Sequence, residues 1–482
     1  MEGSSPLTMR RRGRPLPTQL PRARRTTARV PWGLRLLFVG FVLYATFGKG
    51  FAYAGWPPVF VGELLLIVLV VAALQTELVV PTHLAALVTL VITVMAAIQV
   101  ALDGLFGAAP LVETLRGVAP IFYAAFAFVT YALLRWHEGR VGTNQVVDRI
   151  EQAAARCAPW ITVSLLALSI LLLRYPPGVR PTGIPTWPGS GVPVLYTKAT
   201  DVTVALTLLL PVLSTARAPG ATVRGRRLVV AIWFVTGLVV SFRSRAAFLA
   251  LVMGAFVARP GVTRIMKAVG VATAVFALLY VSGATLTLGD RELSARGAVA
   301  ATASVLGRPS DDQLSANYVA TQNWRTDWWA DIWADVTDEH MVVHGLGWGE
   351  NLALRYGVVP ASRADDPRVL RLPHNIFLSL AGRGGLVIAA GFLLVPVLTL
   401  VRSFHSTSWV TRSPLVEAAR GGVVAALVVG LTDVYLESPQ GGILFWCLIG
   451  FLWWSFAPHD PPTHLRAGEP GGTVPRERRP GG

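Results

Sequence analysis

The sequence predicts an all-α polytopic membrane protein with about twelve transmembrane helices and a large outer loop between the ninth and tenth. Three observations predict this. Only 15% of the 482 residues are charged and 53% are hydrophobic, whereas soluble proteins carry about 25% Asp, Glu, Lys and Arg. Mean hydropathy is +0.53, too apolar to wet the surface of a globule this size, and the same composition excludes disorder, collagen and a disulfide scaffold. Second, apolar stretches of roughly 15–25 residues, long enough to cross a bilayer with or without tilt, recur along the chain. Third, basic residues crowd alternate loops, the pattern that marks cytoplasmic loops.

Residues 1–32 read as a basic, disordered cytoplasmic arm with eight arginines against the single acid Glu2. The apolar run after Trp32 leads to Ala52-Tyr53-Ala54, a small-x-small cleavage pattern. A first membrane helix is the better reading, because many more spans follow. Spans are expected at 33–49, 58–74, 82–101, 118–135, 158–174, 200–215, 228–242, 246–258 and 268–286 within a first block, 33–286. Three more, at 375–401, 417–435 and 441–457, fall in a second block, 374–457, before a cytoplasmic tail at 458–482. Arg217, Arg224, Arg226 and Arg227 share one expected inner loop; Arg259, Arg264 and Lys267 share the next, and Arg402 and Arg412 another. Both termini are therefore expected in the cytoplasm. The two cysteines, Cys157 and Cys447, lie at or inside apolar runs and form neither a metal spacing nor a disulfide pattern. No internal repeat is evident, which weakens a transporter built from two similar halves.

The loop at 287–373 is hydrophilic, with eight arginines against twelve acids. A loop this long between spans is usually functional. Inside it, residues 323–338 have helical character. Asp327, Asp331, Asp335 and Asp338 form an acidic stripe, and Trp329, Ile332, Trp333 and Val336 lie on the other side. Such a helix either lies at the membrane interface or packs its tryptophans on the outer mouth of the bundle, and its acidity favours packing. The i, i+4 acids also fit a divalent metal, but they lack a histidine partner at good spacing.

Three outward-facing features are candidates for chemistry. Arg243 and Arg245, in Ser241-Phe242-Arg243-Ser244-Arg245, sit between two apolar spans on the side where basic residues are scarce. A helix starts there, and its N-terminal N–H groups together with arginine suit a phosphate or diphosphate. The alternative is structural pairing with Asp433 or Glu437. Pro373-His374-Asn375 opens the tenth span, with the proline expected in the first helical turn. A histidine there can act as general base or acid near neutral pH, or it can simply be a satisfied polar residue. Arg325 opens the amphipathic helix and either binds an anion or pairs with a loop acid such as Asp327.

Taken in order, these segments resemble the O-antigen ligase/polymerase superfamily of bacterial surface-polysaccharide assembly. Gly50-Phe51-Ala52-Tyr53 followed by Gly62-Glu63-Leu64-Leu65 is similar to the family's start, and Ser244-Arg245-Ala246-Ala247 to its Ser-Arg motif. Trp324-Arg325 through Trp333, then His344-Gly345-Leu346-Gly347-Trp348-Gly349, resembles its outer loop. His374-Asn375-Ile376-Phe377-Leu378, with Gly385 eleven residues after the histidine, resembles its His-Asn signature. The chain departs from the pattern at Arg383, where the family often has an acid, and at Ile388, where it has glycine.

The resemblance implies a metal-independent, inverting glycosyltransferase of the C-type membrane architecture, with no cofactor. It would ligate or polymerise glycans on the outer face of the cytoplasmic membrane. The implied donor is a glycan on a polyprenyl diphosphate, and the acceptor a hydroxyl on a second glycan or a lipid. His374 would deprotonate the acceptor, while Arg245, Arg325, Arg243 and Asn375 would bind the donor. Membrane lipid, a flippase and a chain-length regulator are the implied partners. A metal-dependent C-type enzyme fits less well, because the loop at about 50–57 lacks paired acids. A transporter or flippase, the rival from another class, needs ionisable residues at mid-membrane depth, whereas here they gather at the outer mouth. The net charge of +16 is then mostly cytoplasmic and orienting, and is not a nucleic-acid surface.

Overall fold

The computed structural model describes residues 30–57, 59–76, 79–107, 109–173, 183–215, 222–258, 277–278, 281–283, 285–288, 291–294, 313–338, 341–360, 362 and 372–459. The arm before Val30, the tail after His459, most of the expected ninth span, much of the outer loop, and Arg217, Arg259, Arg264 and Lys267 lie outside the described residues.

Described in this way, the chain is a mostly helical membrane protein. Helices α1 (Trp32–Ala52), α3 (Leu84–Phe106), α6 (Thr143–Leu173) and α13 (Leu386–His405) are long and apolar enough to cross a membrane. Helices α4 (Leu111–Phe122) and α5 (Ala125–Val141), bent by 41° at the break, make a fifth if they form one span. Shorter apolar helices are α2 (Val61–Leu74), α7 (Ala199–Thr215) and α9 (Arg245–Val257). Leu84, Leu87, Leu90, Val94 and Ile98 on α3 are all exposed. A stripe of that kind is an aggregation hazard in water and is natural against lipid.

The remaining elements are α8 (Val223–Arg243), α10 (Gln313–Asp338), α11 (Leu352–Arg355), α12 (Ile376–Gly384), α14 (Pro414–Gly430) and α15 (Pro439–Ser455). A short 3-10 helix (Trp409–Arg412) precedes α14, and there are two small antiparallel hairpins among the described residues. In one, β1 (Gly55–Trp56) pairs with β2 (Val59–Phe60); in the other, β3 (Thr285–Leu288) pairs with β4 (Arg291–Ser294).

Helix α14 packs against α9 and α7, and α15 packs against α5 and α1. Gly254 and Gly421 let α9 and α14 approach closely: a Cβ on Gly421 would stand 2.7 Å from the Gly254 carbonyl oxygen. Trp446, Trp453 and Trp454 of α15 are fully buried. Each indole N–H is satisfied, on Pro120 O (2.9 Å), Thr399 Oγ1 (3.0 Å) and Glu138 Oε2 (3.0 Å) respectively.

Several expected boundaries move. The span expected at 375–401 is two helices, α12 and α13, broken at Gly385, whose φ is +89°. The outer loop causes the break by running across it. Leu346 N–H donates to Gly382 O at 2.8 Å, Gly347 N–H to Arg383 O at 3.0 Å, and Val387 N–H to Val342 O at 3.2 Å. The carbonyls freed at the end of α12 thus find partners in the Gly-x-Gly turn. Pro373 lies outside the first helical turn, because α12 starts at Ile376 with Asn375 as its cap. The span expected at 118–135 is broken at Tyr123-Ala124, just after Pro120. The inner loop expected at 136–157 is helical except at Gly142, where φ is +82°.

The amphipathic helix begins at Gln313, earlier than expected. Its buried stripe is Trp328, Ile332 and Val336, at spacing i, i+4, i+8, while Trp333 is 44% exposed. The periodicity alone put Trp333 on the packed face; packing against α12 rotates that face toward Trp328.

Candidate functional site

Asp433, in the turn between α14 and α15, collects polar groups from across the bundle. Lys198 Nζ lies 3.1 Å from its Oδ1 and 3.4 Å from its Oδ2. The Thr200 hydroxyl donates to Oδ2 at 3.1 Å, and Val434 N–H donates to Oδ1 at 2.8 Å. His374 Nδ1 stands 3.4 Å from Oδ1. Burial by itself would raise the Asp433 carboxyl, but the Lys198 charge and the His374 hydrogen bond outweigh it and hold the group below the usual carboxylate range. Burial likewise opposes the charge on Lys198, and Asp433 across from it pushes its pKa up.

His374 is the one non-glycine described residue with a positive φ, +58°. For a β-carbon-bearing residue this costs about 1–2 kcal/mol. Its neighbours dictate it. The Pro373 carbonyl accepts the Trp329 indole N–H at 2.7 Å, and Asn375 Oδ1 accepts Leu378 N–H at 3.2 Å. Between a pinned carbonyl and a pinned cap, the backbone turns left-handed and carries the imidazole to Asp433. Both side chains keep limited access to solvent, 20% for His374 and 17% for Asp433.

The arginines gather on the same centre. Arg325 of α10 is half-buried, its guanidinium 5.4 Å from the Trp324 ring centre. Burial lowers its pKa, Asp433 acts in the opposite sense, and Arg245 lowers it further, so Arg325 lies within electrostatic reach of both. Burial raises the Tyr196 hydroxyl, with Lys198, Asp201, Asp433 and Arg243 also acting on it. Arg243 ends α8 and Arg245 starts α9, with the Ser244 hydroxyl between them capping α9 by accepting Ala247 N–H at 3.3 Å. The structure therefore brings Arg243, Arg245, Arg325 and His374 to one end of the bundle. Asn375 is there too, with its carbonyl oxygen committed to the cap and only its amide NH2 left to offer a ligand.

Two acids support this layer. Asp201 Oδ2 accepts Lys198 N–H at 3.0 Å, Lys49 N–H at 3.3 Å and the Thr197 hydroxyl at 3.4 Å. Glu437 Oε2 accepts the Ser379 hydroxyl at 2.8 Å, and its Oε1 is buried without a hydrogen bond. Burial pushes Glu437 up to about 7, against the opposing influence of Arg383 and Ser379. Arg383 is itself buried, and its Nε donates to Glu350 O at 3.1 Å.

Sequence reasoning missed Lys198 and Thr200, and took Asp433 only as an alternative partner for the arginines. One signal was available. The chain has three lysines among its 43 basic residues, and Lys198 is one of them. The conjunction with Asp433 is not legible along the chain, because the two lie 235 positions apart.

The fold defines the class, a helical membrane protein with a histidine–carboxylate pair set among cations at one end. No family model matches this chain, and the comparison with curated proteins finds no match.

Proposed function

We propose that this chain is a metal-independent, inverting glycosyltransferase of the O-antigen ligase/polymerase type. It would use a polyprenyl-diphosphate-linked glycan as donor and a hydroxyl of a glycan or lipid as acceptor. In this reading the bundle makes twelve passes, including the one expected at 268–286. Both termini are cytoplasmic, and the His374 end faces out of the cytoplasmic membrane, where a flippase delivers the donor and a chain-length regulator can associate.

The observation that carries the reading is His374, held at a strained φ with Nδ1 3.4 Å from Asp433, a carboxylate that also holds Lys198 and lies in the field of Arg325. An Nδ1–H donated to the carboxylate leaves the Nε2 lone pair as the base. Nε2 takes the acceptor's proton as the acceptor oxygen bonds to the anomeric carbon. The bond from that carbon to the diphosphate oxygen breaks, with its electron pair leaving on polyprenyl diphosphate. The arginines stabilise the charge that develops there, in a site partly shielded from water. Arg383, which stands where the family often has an acid, lies in the field of Glu437 and donates to the Glu350 carbonyl.

The test uses purified protein, a polyprenyl-diphosphate glycan and an acceptor glycan, with EDTA present. Release of polyprenyl diphosphate by the wild type, and its loss in His374→Ala, is the expected result. Release that persists in His374→Ala, or that requires an added divalent metal, rejects the mechanism. A transporter would instead move the labelled donor across vesicles without cleaving it.

A further inference from the structure

A second site lies where α1 is interrupted. At Gly48 the backbone leaves the helical range, with φ +49° and ψ −124°. In an unbroken helix the N–H groups of Lys49 and Gly50 would donate to the carbonyls of Ala45 and Thr46. Here the Lys49 N–H donates to Asp201 Oδ2 at 3.3 Å, and the Gly50 N–H donates to Tyr196 O at 2.6 Å. The first part of α1 therefore ends at Gly48 as a helix C-terminus. Its last carbonyl oxygens point into the break, and the helix dipole is negative there.

What meets that negative end is a carboxylate. A Cβ on Gly48 would stand 2.6 Å from Asp201 Oδ2 and 2.9 Å from Thr197 Oγ1, so Asp201 abuts the break. Asp201 is 6% exposed. Its Oδ2 takes three hydrogen bonds, yet its Oδ1 has no hydrogen-bond partner among the described residues. A buried carboxylate oxygen without a donor is costly, and the negative helix end beside it adds repulsion. Lys198 gives its backbone N–H to Asp201 but its ammonium to Asp433, 3.1 Å away. The Lys49 ammonium lies over the Tyr53 and Tyr196 rings.

A set of acceptors of this kind calls for a cation. One carboxylate with helix carbonyls supplies a single full negative charge, which suits a monovalent ion. Interrupted membrane helices hold sodium with the same groups. A carboxylate oxygen is a strong-field ligand and favours sodium over the larger potassium. We propose that one sodium ion binds at this break, held by Asp201 Oδ1 and the carbonyl oxygens of Ala45 and Thr46. The assignment is independent of the transferase reading, because the ion takes no part in the transfer. Lys198 joins Asp201 to Asp433, so the ion braces the layer that holds His374.

The test is thermal unfolding of the full chain in neutral detergent at pH 7, followed by tryptophan fluorescence, in NaCl, KCl or choline chloride at one ionic strength. NaCl is expected to raise the wild-type melting temperature by about 3 °C over choline chloride, saturating as one site fills, and KCl is expected to raise it less. Asp201→Asn keeps a carbonyl oxygen for the three donors and offers an NH2 to the Ala45 and Thr46 carbonyls, so sodium should no longer shift its melting temperature. A second measurement holds whether or not that variant folds. Wild-type protein on beads is expected to retain one equivalent of sodium-22, displaced by unlabelled NaCl but not by choline chloride. A wild-type melting temperature indifferent to the cation, as a protonated Asp201 donating directly to the carbonyls would give, overturns the proposal. So does a sodium shift that survives in folded Asp201→Asn, or a wild-type protein that retains no sodium-22.

Discussion

Replacing Asp433 with asparagine tests the site most directly, because one carboxylate serves both the proposed base and a buried cation. The change preserves shape and removes charge. Lys198 then faces an amide at the 3.1 Å now occupied by Oδ1. Breaking one half of a buried ion pair costs about 3–5 kcal/mol. The two side chains retain 24% and 17% exposure, which places the expected loss near the lower end, about 3 kcal/mol. Losing the carboxylate that fixes the tautomer of a catalytic histidine lowers turnover by about 10³–10⁴-fold.

The two effects are separable. Lys198→Met in the Asp433→Asn background removes the orphaned ammonium, so most of the stability returns while turnover stays low. Stability is read by intrinsic tryptophan fluorescence on heating, and turnover by release of polyprenyl diphosphate. Turnover within tenfold of wild type in Asp433→Asn would refute the claim that Asp433 orients His374. A stability loss that Lys198→Met leaves unrelieved would refute the ion-pair account.

Other outcomes follow from the same geometry. His374→Gly should melt within about 1 kcal/mol of wild type, since relief of the positive φ offsets the lost hydrogen bond, yet should lose turnover; a large drop in melting temperature would show that the imidazole is structural. Glu437, raised to about 7 by burial, binds its proton more tightly folded than unfolded. Its contribution to stability is therefore full below about pH 4.5 and is lost as pH rises through about 7, some 3 kcal/mol in all. Glu437→Gln should abolish this decline, and parallel melting curves against pH for the two proteins would contradict it. Gly48 has φ +49°, and a Cβ there would stand 2.6 Å from Asp201 Oδ2. Gly48→Ala should therefore destabilise the protein by about 2 kcal/mol or more, measured by thermal unfolding, and an unchanged melting point would show that the left-handed backbone at Gly48 is dispensable.

The sequence by itself determined that this is a helical membrane protein, because hydropathy is a property of consecutive residues and bilayer thickness sets the length of an apolar run. It also marked His374, Arg243, Arg245 and Arg325, since charge or a titratable ring at the edge of an apolar run stands out locally. Helix breaks were less legible. The Tyr123-Ala124 break lies inside a run whose apolar character continues on both sides, and Gly385, beside Arg383, breaks the helix because Val342, Leu346 and Gly347 from a distant loop supply hydrogen bonds there.

Only the tertiary structure decided that Trp328 rather than Trp333 faces inward, that Asn375 caps a helix, and that Lys198, Thr200 and His374 converge on Asp433. The reason is physical. A buried carboxylate must find cations and donors wherever packing brings them, and in a bundle of long helices those partners come from segments hundreds of residues apart in sequence but side by side at one end.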